Sequence, residues 1–112
     1  IHPAVLSDEG FAAAVEALAE AAPVHIATLP QERFPAPVET AAYLVVAEAA
    51  KTGAARVSAG RRDGALVVDI ETEKEPEGLL DLEDRVGALD GSLGVERVAN
   101  GGVRIRVEIP CG

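Results

Sequence analysis

Between Gly78 and Val95 the residue order leaves little choice of local structure. A glycine opens the segment, and Leu79, Leu82, Val86 and Leu89 recur at helical spacing. Gly91 closes the helix before an apolar strand begins. Gly101 and Gly102 then open Val-Arg-Ile-Arg-Val-Glu-Ile, whose apolar residues alternate until Pro110 ends the run. Strands that alternate in this way have one buried face, and the amphipathic helix before them must lie on it. The expectation is a two-layer α/β (α+β) sandwich.

The remaining segments fit that plan. Ser7 or Asp8 can cap a helix that runs to about Ala22, with Phe11, Val15, Leu18 and Ala22 on one face and Pro23 as its stop. Val24 to Thr28 reads as a short strand, and Leu29 to Pro37, with its prolines, as a loop. Pro37 suits a first helical position. Val38, Ala41, Ala42, Val45 and Ala49 form an apolar face before Gly53 ends the helix.

Two hairpins set the sheet. Asp63-Gly64 is a type I′ turn signal, and closing there pairs Ala59 with Val68 and Val57 with Ile70. A two-residue turn at Asn100-Gly101 would bury the wrong face of the second hairpin. A three-residue loop, Ala99-Asn100-Gly101 with Gly101 left-handed, instead pairs Val95 with Ile105 and Leu93 with Val107. The expected total is about three helices on one face of a mixed five-stranded sheet.

Composition limits the functions. At 112 residues the chain is one domain, able to bury about two-thirds of its unfolded surface. One Tyr and two Phe leave the core to Ala, Val, Leu and Ile. Cys111 is the single cysteine, so an internal disulfide is impossible. A net charge of −9 argues against nucleic acid, whose phosphates need clustered Lys and Arg, and against anionic membrane surfaces. No apolar run reaches the roughly 18 residues of a membrane span, and no signal peptide is visible. A cytoplasmic location is expected, either free or as part of a membrane-attached protein. Ser7, Ser58 and Ser92 lie in no nucleophile elbow, and no Walker-type phosphate loop is present.

The element order, the Gly78–Val95 and Gly101–Pro110 segments and the opening Ile1-His2-Pro3-Ala4-Val5-Leu6 together resemble a known family. They are similar to the ATP-binding catalytic domain of two-component sensor histidine kinases, within the GHKL fold shared with gyrase and MutL. The resemblance is to the subclass that signals to LuxR-type response regulators. It implies residues 1–6 as a linker from an upstream phosphoacceptor hairpin and 7–112 as an ATPase-like domain. His2 would not be the phosphoacceptor, which in the family lies further upstream, and His25 reads as structural. A start without Met fits a piece of a longer sensor.

The same resemblance locates the family's nucleotide site at Glu48, Thr52, Thr72 and Gly78. There this chain departs from the pattern. The family has a Glu and, one turn later, an Asn that binds the magnesium on ATP; here Glu48 is followed by Thr52. A threonine hydroxyl lacks the amide carbonyl that suits Mg²⁺. Glu48 then reads as a helix-edge carboxylate rather than a catalytic base. Thr72 stands where the adenine-reading Asp of Asp-x-Gly-x-Gly belongs, with neither glycine after it. Pro76 replaces the first glycine of the Gly-x-Gly that ends the ATP lid, and Gly78 keeps the second. Val103 occupies a position that is commonly Thr.

Glu71, Glu73, Glu75 and Glu77 would face the triphosphate. At about 8 Å in water each pair of unit charges repels by roughly 0.5 kcal/mol, and salt halves that or more. The run lacks the spacing and central glycine of a calcium loop. These features lead to an expected degenerate domain, with no catalytic residue, no metal and no cofactor. It would act through contacts with the rest of its own sensor, including the dimerisation and phosphoacceptor domain, and with a LuxR-type regulator. A functioning ATP:histidine phosphotransferase domain, with ATP and Mg²⁺, is the alternative, and a GHKL-type anti-sigma regulator is a third.

Overall fold

The computed structural model describes residues 3–99 and 101–111. The expectations for Ile1-His2 and for Asn100 lie outside those residues. The described elements are α1 (Ala4–Glu9), α2 (Phe11–Ala21), β1 (Val24–Thr28), α3 (Ala36–Ala50), β2 (Ala55–Arg62), β3 (Ala65–Thr72), α4 (Leu79–Gly87), β4 (Ser92–Arg97) and β5 (Val103–Pro110). The strands form one mixed sheet in the order β1-β2-β3-β5-β4. Only the β1–β2 pair is parallel.

Both hairpins close in the expected register. Asp63 and Gly64 have φ of 49° and 76°, the two positive values a type I′ turn needs. Val57 faces Ile70 and Ala59 faces Val68. At the second hairpin Val95 faces Ile105, Leu93 faces Val107, and Gly101 has φ 90°. Val57, Ala59, Leu66, Val68, Ile70, Leu93, Ile105 and Val107 are all buried on the face that the helices cover. Val95, near the end of edge strand β4, remains 39% exposed. Phe11, Val15, Val45 and Val86 are buried against this face, with Leu18, Leu82 and Leu89 partly covered at the margin. Gly91 is required by close approach, because a Cβ there would stand 2.5 Å from the Glu108 carbonyl oxygen in β5.

The first helix differs from expectation. It begins after Pro3 rather than at Ser7 or Asp8, and Gly10 divides it into α1 and α2, so the described residues form four helices, of which α2, α3 and α4 pack on the sheet and α1 packs on α2 and α3. Gly10 has φ 99°, outside helical geometry, and the two helices meet there without sharing an axis of hydrogen bonds. Residues 4–6, expected in the linker, are helical, and Leu6 is buried.

The other sheet face carries charge in register. Arg56 opposes Glu71, Glu71 opposes Arg104, and Arg104 opposes Glu96. Arg104 pairs with Glu71 at 3.4 Å and Glu96 at 3.6 Å, while Arg106 lies 3.6 Å from both Asp69 and Glu108. Each exposed pair is worth at most about 1 kcal/mol. Their alternating signs make a polar, self-compensated surface.

Candidate nucleotide site

The four site positions come from three elements. Glu48 lies in the last turn of α3, and Thr52 follows that helix; Thr72 ends β3, and Gly78 caps α4. The fold brings Glu48 and Gly78 together. A Cβ built at Gly78 would stand 3.2 Å from the Glu48 carboxyl carbon and Oε2. Gly78 has φ 64°, so the chain turns into α4 in a left-handed conformation directly against that carboxylate. The other carboxylate oxygen accepts a hydrogen bond from Lys51 Nζ at 3.2 Å.

Thr52 and Thr72 are engaged with their own backbone. Thr52 Oγ1 donates to the Ala49 carbonyl at 2.9 Å, a bond local to the end of α3. Thr72 is 6% exposed, and its Oγ1 donates to the Lys74 carbonyl at 2.7 Å. Thr72 also borders a cavity of about 470 Å³ at the end of the sheet, whose lining includes His25, Arg56, Glu71 and Glu73 but not Glu48, Thr52 or Gly78. Glu48 and Gly78 are neighbours, and no pocket described among residues 3–99 and 101–111 is lined by all four positions.

One sequence expectation about charge needs correction. Glu71 does not belong to the acidic connection. It is inside β3, exposed on the open sheet face and paired with Arg104, because strand alternation turns Thr72 inward and Glu71 outward. The connection from β3 to α4 runs only from Glu73 to Gly78, and its exposed carboxylates are Glu73, Glu75 and Glu77.

The polar side chains at these positions are already engaged within the fold. A cation on the phosphates wants several oxygen ligands in near-octahedral array. Glu48 is turned onto Gly78 and Lys51, and the Thr52 hydroxyl is tied to Ala49. At Thr72 the hydroxyl already donates to the Lys74 carbonyl. Among the described residues no three His, Cys, Asp or Glu side chains are grouped to hold a metal ion. None of their helices is long and apolar enough to cross a membrane.

Sequence reasoning missed a buried and highly connected polar group. Glu39, in the first turn of α3, is 1% exposed. Its carboxylate accepts hydrogen bonds from Phe11 N at 3.2 Å, Phe34 N at 3.3 Å, and Arg33 Nε and Nη2 at 3.1 Å each. Hydrogen bonding to Glu39 holds the Arg33 guanidinium above its ordinary pKa, with desolvation opposing. A sign of this was present in the sequence, since Glu39 shares a helical stripe with Ala42, Val46 and Ala49, all apolar.

The fold has relatives of known structure. The histidine kinase AdeS of Acinetobacter baumannii superposes with a TM-score of 0.63 at 15% identity, over 91% of this chain and 65% of that one. The ATP-binding domain of PrrB from Mycobacterium tuberculosis gives 0.60 at 20% identity, over 96% and 94% of the two chains. The histidine kinase domain of the Escherichia coli osmosensor EnvZ gives 0.56 at 17% identity, over 89% and 85%. This chain has the histidine-kinase ATPase fold. It spans less than two-thirds of the AdeS chain and 39% of the blue-light-activated histidine kinase of Erythrobacter litoralis EL346. No family model matches the sequence, and no curated protein matches it.

Proposed function

We propose that the chain is the ATPase-like domain of a two-component sensor histidine kinase whose nucleotide site has decayed. Its output would be protein contact, made with the rest of its own sensor and with a LuxR-type response regulator, in the cytoplasm. Residues 1–6 would join it to an upstream phosphoacceptor hairpin. The framework supports the kinase part of this reading through the overall fold it shares with AdeS and PrrB. The single observation that carries the decayed site is the contact of Glu48 with Gly78. It turns the retained family carboxylate onto the loop instead of leaving it free for a ligand. The bonds of Thr52 and Thr72 to their own backbone, and the short acidic Glu73–Gly78 connection, act in the same direction.

Calorimetric titration with Mg-ATP tests this. The expected result is no affinity tighter than about 1 mM, or roughly −4 kcal/mol. A micromolar constant would overturn the decayed-site reading and leave a functioning ATP-binding domain for histidine phosphorylation in its place.

A further inference from the structure

We propose that Arg33 and Glu39 form a joint that passes the position of α1 to α3. This goes beyond the reading of the site, because it concerns how the domain is moved rather than what it binds.

The inner half of the joint is fixed. Glu39 is buried and accepts from the first residue of α2, from the loop at Phe34 and from Arg33. The outer half reaches α1. Arg33 Nη2 donates to the Ser7 carbonyl at 3.2 Å, and Nη1 to the Asp8 carbonyl at 3.3 Å. These carbonyls lie in the last turn of a six-residue helix, where intrahelical partners run out, so the guanidinium serves as the end cap of α1. Gly10 follows at once. A Cβ there would stand 2.6 Å from Arg33 Cδ and Nε, so the chain passes from α1 into α2 in contact with the guanidinium stem.

The seam around the joint has room to move. Leu6 is the one buried residue of α1. A cavity of about 160 Å³ lies beside it, lined by Leu6, Ser7, Arg33, Ala36, Glu39 and Thr40. A displaced α1 can therefore shift into space rather than into packed side chains. Beyond the joint, α3 is a continuous helix buried along most of its length. Glu48 sits about 14 Å further along it at 1.5 Å per residue. A rigid element gripped at Glu39 carries displacement to its far end.

Amide hydrogen exchange on the whole chain tests the joint. Leu6→Ala loosens α1 without touching Arg33 or Glu39. Exchange in α1 and at residues 46–52 should both quicken by about tenfold, while β5 amides, the control for general loss of stability, stay unchanged. Arg33→Lys keeps a positive charge beside Glu39 but cannot fork onto two carbonyls. In that background Leu6→Ala should quicken α1 alone. Gly10→Ala, whose Cβ would press on both the Arg33 stem and Glu39 Oε2 at a φ of 99° strained for alanine, should uncouple α1 from α3 in the same way, with the β5 amides reporting any general loss of stability. If Leu6→Ala in the otherwise native chain quickens α1 with no response at residues 46–52, or quickens β5 equally, the joint is only local adhesion. None of these readouts involves nucleotide, so failure here leaves the decayed-site reading untouched, and the reverse.

Discussion

Glu48 and Gly78, thirty residues apart in sequence, lie so close that a Cβ on the glycine would stand 3.2 Å from the carboxyl carbon. The contact joins the end of α3 to the start of α4. It also makes Gly78 a test of the arrangement. Gly78→Ala adds a methyl group at φ 64°, where a side chain costs roughly 1–2 kcal/mol, and it presses on Glu48 as well. Denaturant unfolding should show a loss of about 1–2 kcal/mol. Glu48→Ala combined with Gly78→Ala should lose less than the sum of the single changes, because the two residues touch.

Glu39 supports a larger prediction. Removing its carboxylate leaves the Phe11 and Phe34 amides without that acceptor and strips Arg33 of its ion-pair partner, leaving it only the Ser7 and Asp8 carbonyls. Glu39→Ala should therefore cost about 2–4 kcal/mol, below the full figure for a buried pair because Arg33 is half in water. Glu39→Gln keeps one carbonyl acceptor and should cost distinctly less. Equal losses for the two changes, measured by thermal unfolding, would mean that packing rather than hydrogen bonding fixes the position.

The sheet core can be graded by exposure. Ile105→Ala removes a fully buried side chain and should cost about 2–4 kcal/mol, and Val68→Ala about 1–3 kcal/mol. Val95→Ala, on the same strand face but 39% exposed, should cost under about 1 kcal/mol. Denaturation midpoints for the three variants check the order, and a large loss at Val95 would mean that this edge is covered in solution.

The difference between what could and could not be read beforehand has a physical basis. Val57, Val68, Ile105 and Val107 were legible because strand alternation and turn chemistry are local, and a one-residue slip would have exposed every one of them. Gly101 was legible because only one loop length kept Val95 opposite Ile105. The split at Gly10 was not. Ser7 and Asp8 are good capping residues, and local preference placed a helix start where tertiary contacts from Arg33 place a helix end. Glu39 was missed for a related reason. Its partners are 28 and 5 residues away in sequence, at Phe11 and Phe34. At the site, the substitutions at Thr52 and Thr72 could be read directly, but the closing of Glu48 onto Gly78 required the path of the backbone.

Reverting the site tests which lesion dominates. Thr52→Asn and Thr72→Asp restore the amide carbonyl and the carboxylate that the family resemblance implies. Each regained hydrogen bond is worth about 1 kcal/mol net, or about 2–3 where a charge takes part. Opposing this, Thr72 is buried, so an aspartate there loses hydration, and on the proposed reading Glu73, Glu75 and Glu77 would still face a bound triphosphate. The expected outcome of the double change is little or no ATP binding by calorimetry. A longer, glycine-containing segment in place of residues 73–77, added to both reversions, should do better. The replacement must begin after Thr72, because Glu71 and Thr72 are paired with Arg104 and Val103 in the sheet, and cutting into them would damage β3. Strong binding by the two point changes alone would show that the acidic connection offers no barrier. If the graft also failed, the defect would lie in the wall itself, where α3 ends at Ala50 and the Glu48 carboxylate rests on Gly78.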